Sequence, residues 1–218
     1  MKEKIIQDIE DCLCKEREPI LRRSYGKYLK YFRRSEGIVL DIGCGSGIML
    51  ELLKGEGINA YGLDISEAAI DNCLKKGLEI VKADALEHLR SLPDSILGGV
   101  FISHFLEHLT CEKAIDVLKE IYRVLRERGK IVLITPNPED IIVLSIRFWL
   151  DPTHVRLYPD RLLCAMLNAI GFTVISITED PDTMYSHRSL WRNIAGRLRK
   201  IWLWGRINRG DIVAVVKK

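Results

Sequence analysis

Asp41-Ile42-Gly43-Cys44-Gly45-Ser46-Gly47 sets an acid two residues ahead of three alternating glycines, just after the apolar pair Val39-Leu40. Glycine lets a backbone approach a ligand closely, and a carboxylate there favours a positively charged ligand while repelling a pyrophosphate. Two more aspartates follow comparable apolar runs, Asp64 after Tyr61-Gly62-Leu63 and Asp84 after Val81-Lys82-Ala83. A carboxylate only accepts hydrogen bonds, so Asp64 suits the two hydroxyls of a ribose and Asp84 an adenine amino group. Each motif also has a plainer use: glycine turns close tight strand–helix corners, and an aspartate after a strand commonly caps the next helix. Taken together, the three acids predict a nucleoside-type pocket.

Histidines supply the other chemistry. His154 lies in Asp151-Pro152-Thr153-His154-Val155-Arg156, where an imidazole titrating near about 6.5 can take a proton. Arg156 in the same stretch could clamp an acceptor's phosphate or carboxylate, and Tyr158 stands two residues on as a second substrate contact. The plainer alternatives are a loop histidine that holds its own segment in place and an arginine in a surface ion pair. His104-Phe105-Leu106-Glu107-His108 matches the H-x-x-E-H pattern of inverted zinc peptidases, but no third ligand is recognisable, so no metal is expected. Glu107 and His108 are read instead as the start of a helix, with His108 walling the substrate pocket. His88 and His187 have no motif around them and read as surface or packing residues.

These residues need a scaffold, and the 218-residue chain, with 47% apolar residues, has the material for one sizeable core. From Gly37 onward short apolar runs alternate with amphipathic stretches, which predicts an α/β fold with a parallel sheet and crossover helices. Seven strands are predicted: Ile38–Ile42, Ala60–Leu63, Glu79–Lys82, Leu97–Ser103, Lys130–Thr135, Thr173–Thr178 and Ile212–Val216. Helices are predicted at Ile48–Lys54, Glu67–Lys75, Ala85–Arg90, Glu112–Arg126 and Pro159–Ala169. Residues 1–36 read as a basic N-terminal helical segment, with Tyr25, Tyr28, Tyr31 and Phe32 packed on the core and the charges solvated. Residues 37–218 form the main domain, with a lid at 136–158 over the ligand edge and a helical insertion at 180–210. In such sheets ligands bind beyond the carboxyl ends of the strands, where the three acids gather. The spacing G-x-G-x-G departs from the G-x-G-x-x-G of dinucleotide loops, and the sulfonium and ammonium charges of S-adenosylmethionine suit Asp41 better than a nicotinamide dinucleotide does.

The net charge of +3 is local in origin. Between Thr183 and Gly210 stand Arg188, Arg192, Arg197, Arg199, Lys200, Arg206 and Arg209 with no acid, and without these seven the balance turns to −4. Trp191, Trp202 and Trp204 interleave with them. Tryptophan beside arginine suits an anionic membrane surface, and equally a hairpin that packs its rings on the sheet. A nucleic-acid partner has no recognisable module to support it. No apolar run approaches the roughly 20 residues of a membrane span, and the start has no secretory pattern. Six scattered cysteines read as reduced thiols, which together predicts a cytoplasmic protein, peripheral at the inner membrane face if the basic segment docks there.

Taken in order, several motifs resemble the class I S-adenosylmethionine-dependent methyltransferases. They are Asp41 to Gly47, Gly62-Leu63-Asp64, Ala83-Asp84-Ala85, Leu106-Glu107-His108-Leu109, and Arg123 to Arg126 running on to Gly129 through Asn137. The resemblance implies a Rossmann-like seven-stranded, mostly parallel sheet with helices on both faces and an antiparallel last strand. It implies that the glycine loop, with Gly43, Cys44 and Gly45, contacts the methionine part of the cofactor, Asp64 the ribose, and Asp84 with Ala85 the adenine, with Asp41 and Ile65 also among the cofactor-binding residues. Ser103 and His104 would border the methyl group. Arg126-Glu127-Arg128-Gly129 departs from the family's usual Lys-Pro-Gly-Gly.

A narrower resemblance, to methyltransferase domains of bacterial polysaccharide and O-antigen biosynthesis, rests on Ser91 to Asp94, Thr135 to Glu139, Asp151 to Arg156, Pro159 and Gly171-Phe172. It implies O-methylation of a glycan or lipid-linked saccharide, with His154 and His108 as the catalytic candidates. A hydroxyl acceptor must lose a proton as it attacks, whereas a phosphate or carboxylate acceptor need not. Another small molecule or RNA is the alternative acceptor. A nicotinamide-dependent oxidoreductase and a non-catalytic cofactor-binding protein are the readings of other classes. The sequence leaves the oligomeric state open.

Overall fold

The computed structural model describes residues 18–183 and 209–218. The first 17 residues, His187 and nearly all of the basic segment with its expected membrane contact lie outside the described residues. Seven strands form one sheet: β1 (Ile38–Ile42), β2 (Ala60–Asp64), β3 (Ile80–Lys82), β4 (Leu97–Ser103), β5 (Leu125–Thr135), β6 (Thr173–Asp180) and β7 (Asp211–Lys217). Their spatial order is β3-β2-β1-β4-β5-β7-β6, with β7 alone running against the rest. This is the Rossmann-like layout expected, antiparallel last strand included. The order reverses between β1 and β4, the place where open α/β sheets bind ligands in a crevice beyond the carboxyl ends of the strands.

Side chains alternate across a strand, so each central strand feeds two cores. Leu40, Ile42, Val100, Ile102, Ile131, Leu133, Ala214 and Val216 face one side, where they meet α4 (Ala85–Ser91), α5 (Cys111–Val124) and α7 (Asp160–Ile170). Val39, Phe101, Val132, Ile134, Val213 and Val215 face the other, against α1 (Glu18–Gly26) and α2 (Ile48–Gly55). In α5, Ala114, Val117, Leu118, Ile121 and Val124 recur at helical spacing and are all buried, while Thr110 caps the helix by accepting from Lys113 N. Burying each of its large side chains contributes about 2 kcal/mol. The other α-helices among the described residues, α3 (Glu67–Lys75) and α6 (Ile141–Ser145), follow β2 and β5 in the chain.

Tyr25, Tyr28 and Phe32 are buried in the second core while Lys30, Arg33 and Arg34 stay exposed, as the spacing suggested. Gly99 leaves the space that Phe32 occupies: a Cβ there would stand 2.7 Å from Phe32 Cδ1. The carboxylate of Asp180, at the end of β6, accepts from Ser24 Oγ at 2.7 Å, Tyr28 OH at 2.6 Å and Lys27 Nζ at 2.6 Å, fastening α1 across the sheet.

Most element ends fall within one or two residues of the sequence reading, and the largest difference is at the start of β5. The helix predicted to reach Arg126 ends at Val124, and β5 begins at Leu125, well before Lys130. Arg126-Glu127-Arg128-Gly129 forms a bulge, with Arg128 at φ +64° and a register shift between the pairs Leu97–Leu125 and Gly99–Lys130. The Arg126 guanidinium holds the extended path by donating to the Ser95 carbonyl at 3.1 Å.

Candidate functional site

The glycine loop joins β1 to α2 with Gly43, Gly45 and Gly47 at φ +68°, +50° and +79°. It is pinned to β2, since Gly43 N and Cys44 N both donate to the Leu63 carbonyl, at 2.8 and 3.2 Å. Asp64 completes the attachment, its Oδ2 accepting from Gly45 N and its Oδ1 from Ser66 N, both at 2.9 Å. Each Asp64 oxygen keeps a further lone pair for a ligand hydroxyl. Gly47 is enclosed, for a Cβ there would lie 2.6 Å from Leu78 Cδ1, whereas one at Gly45 would meet nothing within 4 Å. The open side of the loop is therefore at Gly45. Ile65, immediately after Asp64, is 69% exposed and offers an apolar surface at the same edge. Asp84 caps α4, its Oδ1 accepting from Leu86 N at 2.9 Å and Glu87 N at 3.1 Å, so the helix-cap use is real and leaves Oδ2 for other partners. Ala85 behind it is buried.

Asp41 departs from the expectation of an open acid at a strand end. It lies within β1 and is 3% exposed. Among the described residues no hydrogen bond reaches its carboxylate, and burial, reinforced by Cys73 and Asp64, pushes its pKa well above the usual carboxylate range. An incoming cation would relieve that cost.

Across the crevice the site is made of side chains from distant segments. Ser103, at the end of β4, hydrogen-bonds Tyr25 OH at 2.7 Å, which brings α1 to the strand end. His104 takes φ +53°, and its imidazole is bracketed by Glu107 Oε1 at 3.1 Å from Nδ1 and Asp211 Oδ2 at 3.2 Å from Nε2. Glu107 is fully buried. Its Oε2 accepts from Thr135 Oγ1 at 3.2 Å, and its carbonyl accepts from Val155 N at 2.7 Å and Arg156 N at 3.2 Å, tying the 151–156 stretch to the strand end. Glu107 and His108 occupy a single 3-10 turn, Leu106–His108, rather than the start of a helix.

His108 and His154, 46 positions apart in the chain, meet with ring centroids 4.8 Å apart. The His154 ring stacks on Phe148 at 4.7 Å, and its Nδ1 donates to the Phe148 carbonyl at 2.6 Å. His108 Nδ1 lies 2.8 Å from Thr153 Oγ1, which donates to Asp151 Oδ1 at 2.6 Å. Burial lowers the proton affinity of His108, with Glu107 opposing it. Burial works the other way on Asp151, yet the Thr153 hydrogen bonds and the nearby imidazoles keep its carboxyl below its ordinary pKa.

Of the two expected substrate contacts, Tyr158 is enclosed and Arg156 is open to solvent. Tyr158 is fully buried, its hydroxyl donates to the Leu109 carbonyl at 2.8 Å, and burial pushes its pKa up to about 12, so it anchors the core instead of lining an open pocket. Arg156 is exposed, with its guanidinium 5.5 Å from the Tyr158 ring centroid. Sequence reasoning missed Tyr25, Asp211 and Thr153, and it gave Glu107 no chemical role. Two signals touched Glu107, the Leu106-Glu107-His108-Leu109 motif and the H-x-x-E-H match, and the second pointed to a histidine pair that does not form: His104 turns to two carboxylates, and the partner of His108 is His154.

Comparison with known proteins agrees with this geometry. A family model described as a methyltransferase domain matches residues 15–177. A crystal structure of an S-adenosylmethionine-dependent methyltransferase from Archaeoglobus fulgidus is 33% identical, with TM-score 0.81, covering 96% of this chain and 99% of that one. An uncharacterised protein of Methanocaldococcus jannaschii is 29% identical over 199 residues, 87% of this chain and 82% of that protein. A ubiquinone biosynthesis O-methyltransferase of Aeromonas salmonicida is 28% identical over 116 residues, 50% of this chain, and the match spans about half of that relative's length, 48%.

Proposed function

The chain belongs to the methyltransferase-domain family and uses S-adenosylmethionine as methyl donor, and we propose that it methylates a hydroxyl oxygen of a glycan or lipid-linked saccharide. The nicotinamide-dependent alternative falls with the family assignment. Bound in the crevice, the donor supplies an activated methyl group on a sulfonium whose leaving group is a neutral thioether. Everything else is alignment and proton handling by this chain.

We assign the donor's amino-acid end to Asp41, Gly43, Cys44 and Gly45. An orphaned, buried carboxylate beside an open backbone loop suits an ammonium group. Asp64, whose oxygens each keep a lone pair, is assigned with Ile65 to the ribose side, and Asp84 with Ala85 to the adenine. Ser103 and His104, at the end of β4, border the methyl end. Tyr25 and Asp211 hold those two side chains in place.

The observation that carries the oxygen acceptor is the His108–His154 pair, two imidazoles 4.8 Å apart beside this strand end. Burial keeps His108 in its neutral form, the state required to draw a proton from an attacking hydroxyl. The saccharide is supported by the likeness of Asp151 to Arg156 and Thr135 to Glu139 to polysaccharide-pathway methyltransferases, with exposed Arg156 available to an acceptor's phosphate. Similarity to a ubiquinone biosynthesis O-methyltransferase also favours oxygen.

Methyl-labelled donor incubated with saccharides, lipid-linked saccharides, phenols and RNA tests both levels. The expected product is a labelled saccharide whose methyl resists mild alkali, as an ether does. Label confined to RNA, to phenols or to an alkali-labile ester overturns the saccharide assignment.

A further inference from the structure

We propose that Glu107, His108 and His154 bind one divalent transition-metal cation, of the manganese, iron or zinc class, and that its open positions receive the acceptor's oxygens. This deepens the reading above and rests on it for the acceptor alone; the cation site stands on its own geometry. One ligand atom from each of the three side chains lies within 4.8 Å of the other two. Two imidazoles and one carboxylate form a donor set that leaves coordination positions free for exchangeable oxygen ligands. Bonds near 2.1 Å place ligand atoms about 3.3 Å apart, so the cluster closes on a cation by a movement of about 1.5 Å at its widest.

The surrounding hydrogen bonds prepare both imidazoles as ligands. A carbonyl oxygen can only accept, so the 2.6 Å bond from His154 Nδ1 to the Phe148 carbonyl puts the ring proton on Nδ1 and the lone pair on Nε2. Thr153 has a single hydroxyl proton, and it goes to Asp151 Oδ1. Thr153 Oγ1 must therefore accept from His108 Nδ1, which leaves the lone pair of His108 on Nε2 as well. A backbone carbonyl or a carboxylate relay behind each ring is the arrangement that orients metal-binding histidines. Asp151 also supplies charge: its Oδ2 lies 3.7 Å from His154 Nε2, so together with Glu107 two carboxylates stand against a double positive charge.

This arrangement makes the second carboxylate and the threonine intelligible, which a simple proton acceptor would not require. It also changes how the histidines handle the acceptor's proton. A cation held by Glu107, His108 and His154 would lower the pKa of a bound acceptor hydroxyl; the proton would pass to solvent, and the oxygen, keeping the electron pair, would form the new bond to the methyl carbon as the carbon–sulfur bond breaks. A chelating acceptor with two adjacent oxygens, as in a vicinal diol, fits a site with more than one open position. The zinc-peptidase reading of His104 and His108 is not revived, because His104 is held by Glu107 and Asp211.

The test uses the full chain, stripped with a chelator and titrated with cobalt(II) and manganese(II). Cobalt(II) should develop visible ligand-field bands with one equivalent bound, and manganese(II) should show nitrogen couplings from two imidazoles by pulsed electron paramagnetic resonance. His154→Ala should abolish the cobalt bands while S-adenosylhomocysteine affinity stays within about twofold, which shows that the variant is folded. Thr153→Val should weaken cation binding about 10- to 100-fold. Absence of nitrogen coupling, or unchanged methyl transfer in excess chelator, overturns the cation site and leaves the methyltransferase reading intact. Specific cation binding with no methyl transfer to any hydroxyl acceptor overturns the acceptor reading instead.

Discussion

The two sides of the crevice are built on opposite plans. The side proposed for the donor, from Asp41 to Asp84, is backbone: a loop of glycines, carbonyls and N–H groups fastened by one carboxylate, with its key residues within 44 positions of one another. The side proposed for the acceptor joins Tyr25, Ser103, His104, Glu107, His108, Thr135, Thr153, His154 and Asp211 through side-chain contacts that span up to 107 positions in the chain. A backbone site can hold the same ligand in many relatives, because its geometry comes from the strand order. A side-chain site is free to change its substrate with a few substitutions.

The largest effect is expected from removing one imidazole beside the end of β4. His108→Ala is expected to lower methyl transfer by about 10²- to 10⁴-fold while S-adenosylhomocysteine binding, measured by calorimetry, stays within about twofold. A parallel loss of donor affinity would mean that the two halves are one cooperative site.

Within the donor side, Gly47 and Gly45 separate folding from binding. Gly47→Ala adds a Cβ 2.6 Å from Leu78 and 2.8 Å from Cys73 Sγ at φ +79°, and should cost about 3 kcal/mol in denaturant unfolding. Gly45→Ala meets no protein atom and carries mainly the backbone strain of φ +50°, about 1 kcal/mol. Its larger effect should be on S-adenosylhomocysteine affinity, weakened tenfold or more, because the added methyl points into the open side of the loop. Equal stability losses in the two variants would contradict the open side.

The smallest effect is a pH dependence. The unfolded chain protonates His108 near pH 6.5, while burial makes the folded chain protonate it at lower pH. Between those values the unfolded state binds more protons, so stability is lost as pH falls below about 6.5 and levels off beneath the folded pKa. His108→Gln should remove this part of the acid-side loss, read from unfolding midpoints at pH 7.5 and 5.5.

The strand positions, the buried stripe of α5 and the glycine loop were legible from the sequence because each is a local pattern. Alternation sorts Val39 from Leu40 to opposite faces, and three- and four-residue spacing places Val117, Leu118 and Ile121 on one face, with no knowledge of the partner. Asp64 and Asp84 were legible as acids at strand ends, although the sequence could not show that each is already engaged in fastening its own loop or helix. The β5 bulge was hidden because Leu125 and Arg126 continue the helical spacing of α5, and only pairing with β4 draws them into the sheet.

The amino-acid order thus determined the layered sheet and the donor-side edge, where a few neighbouring residues settle the backbone path. Only the tertiary structure decided the burial of Tyr158, the enclosure of Asp41 and the meeting of Glu107, His108 and His154. Those depend on which distant segments are brought to the end of β4, and no local spacing in the chain encodes a contact between residues so far apart.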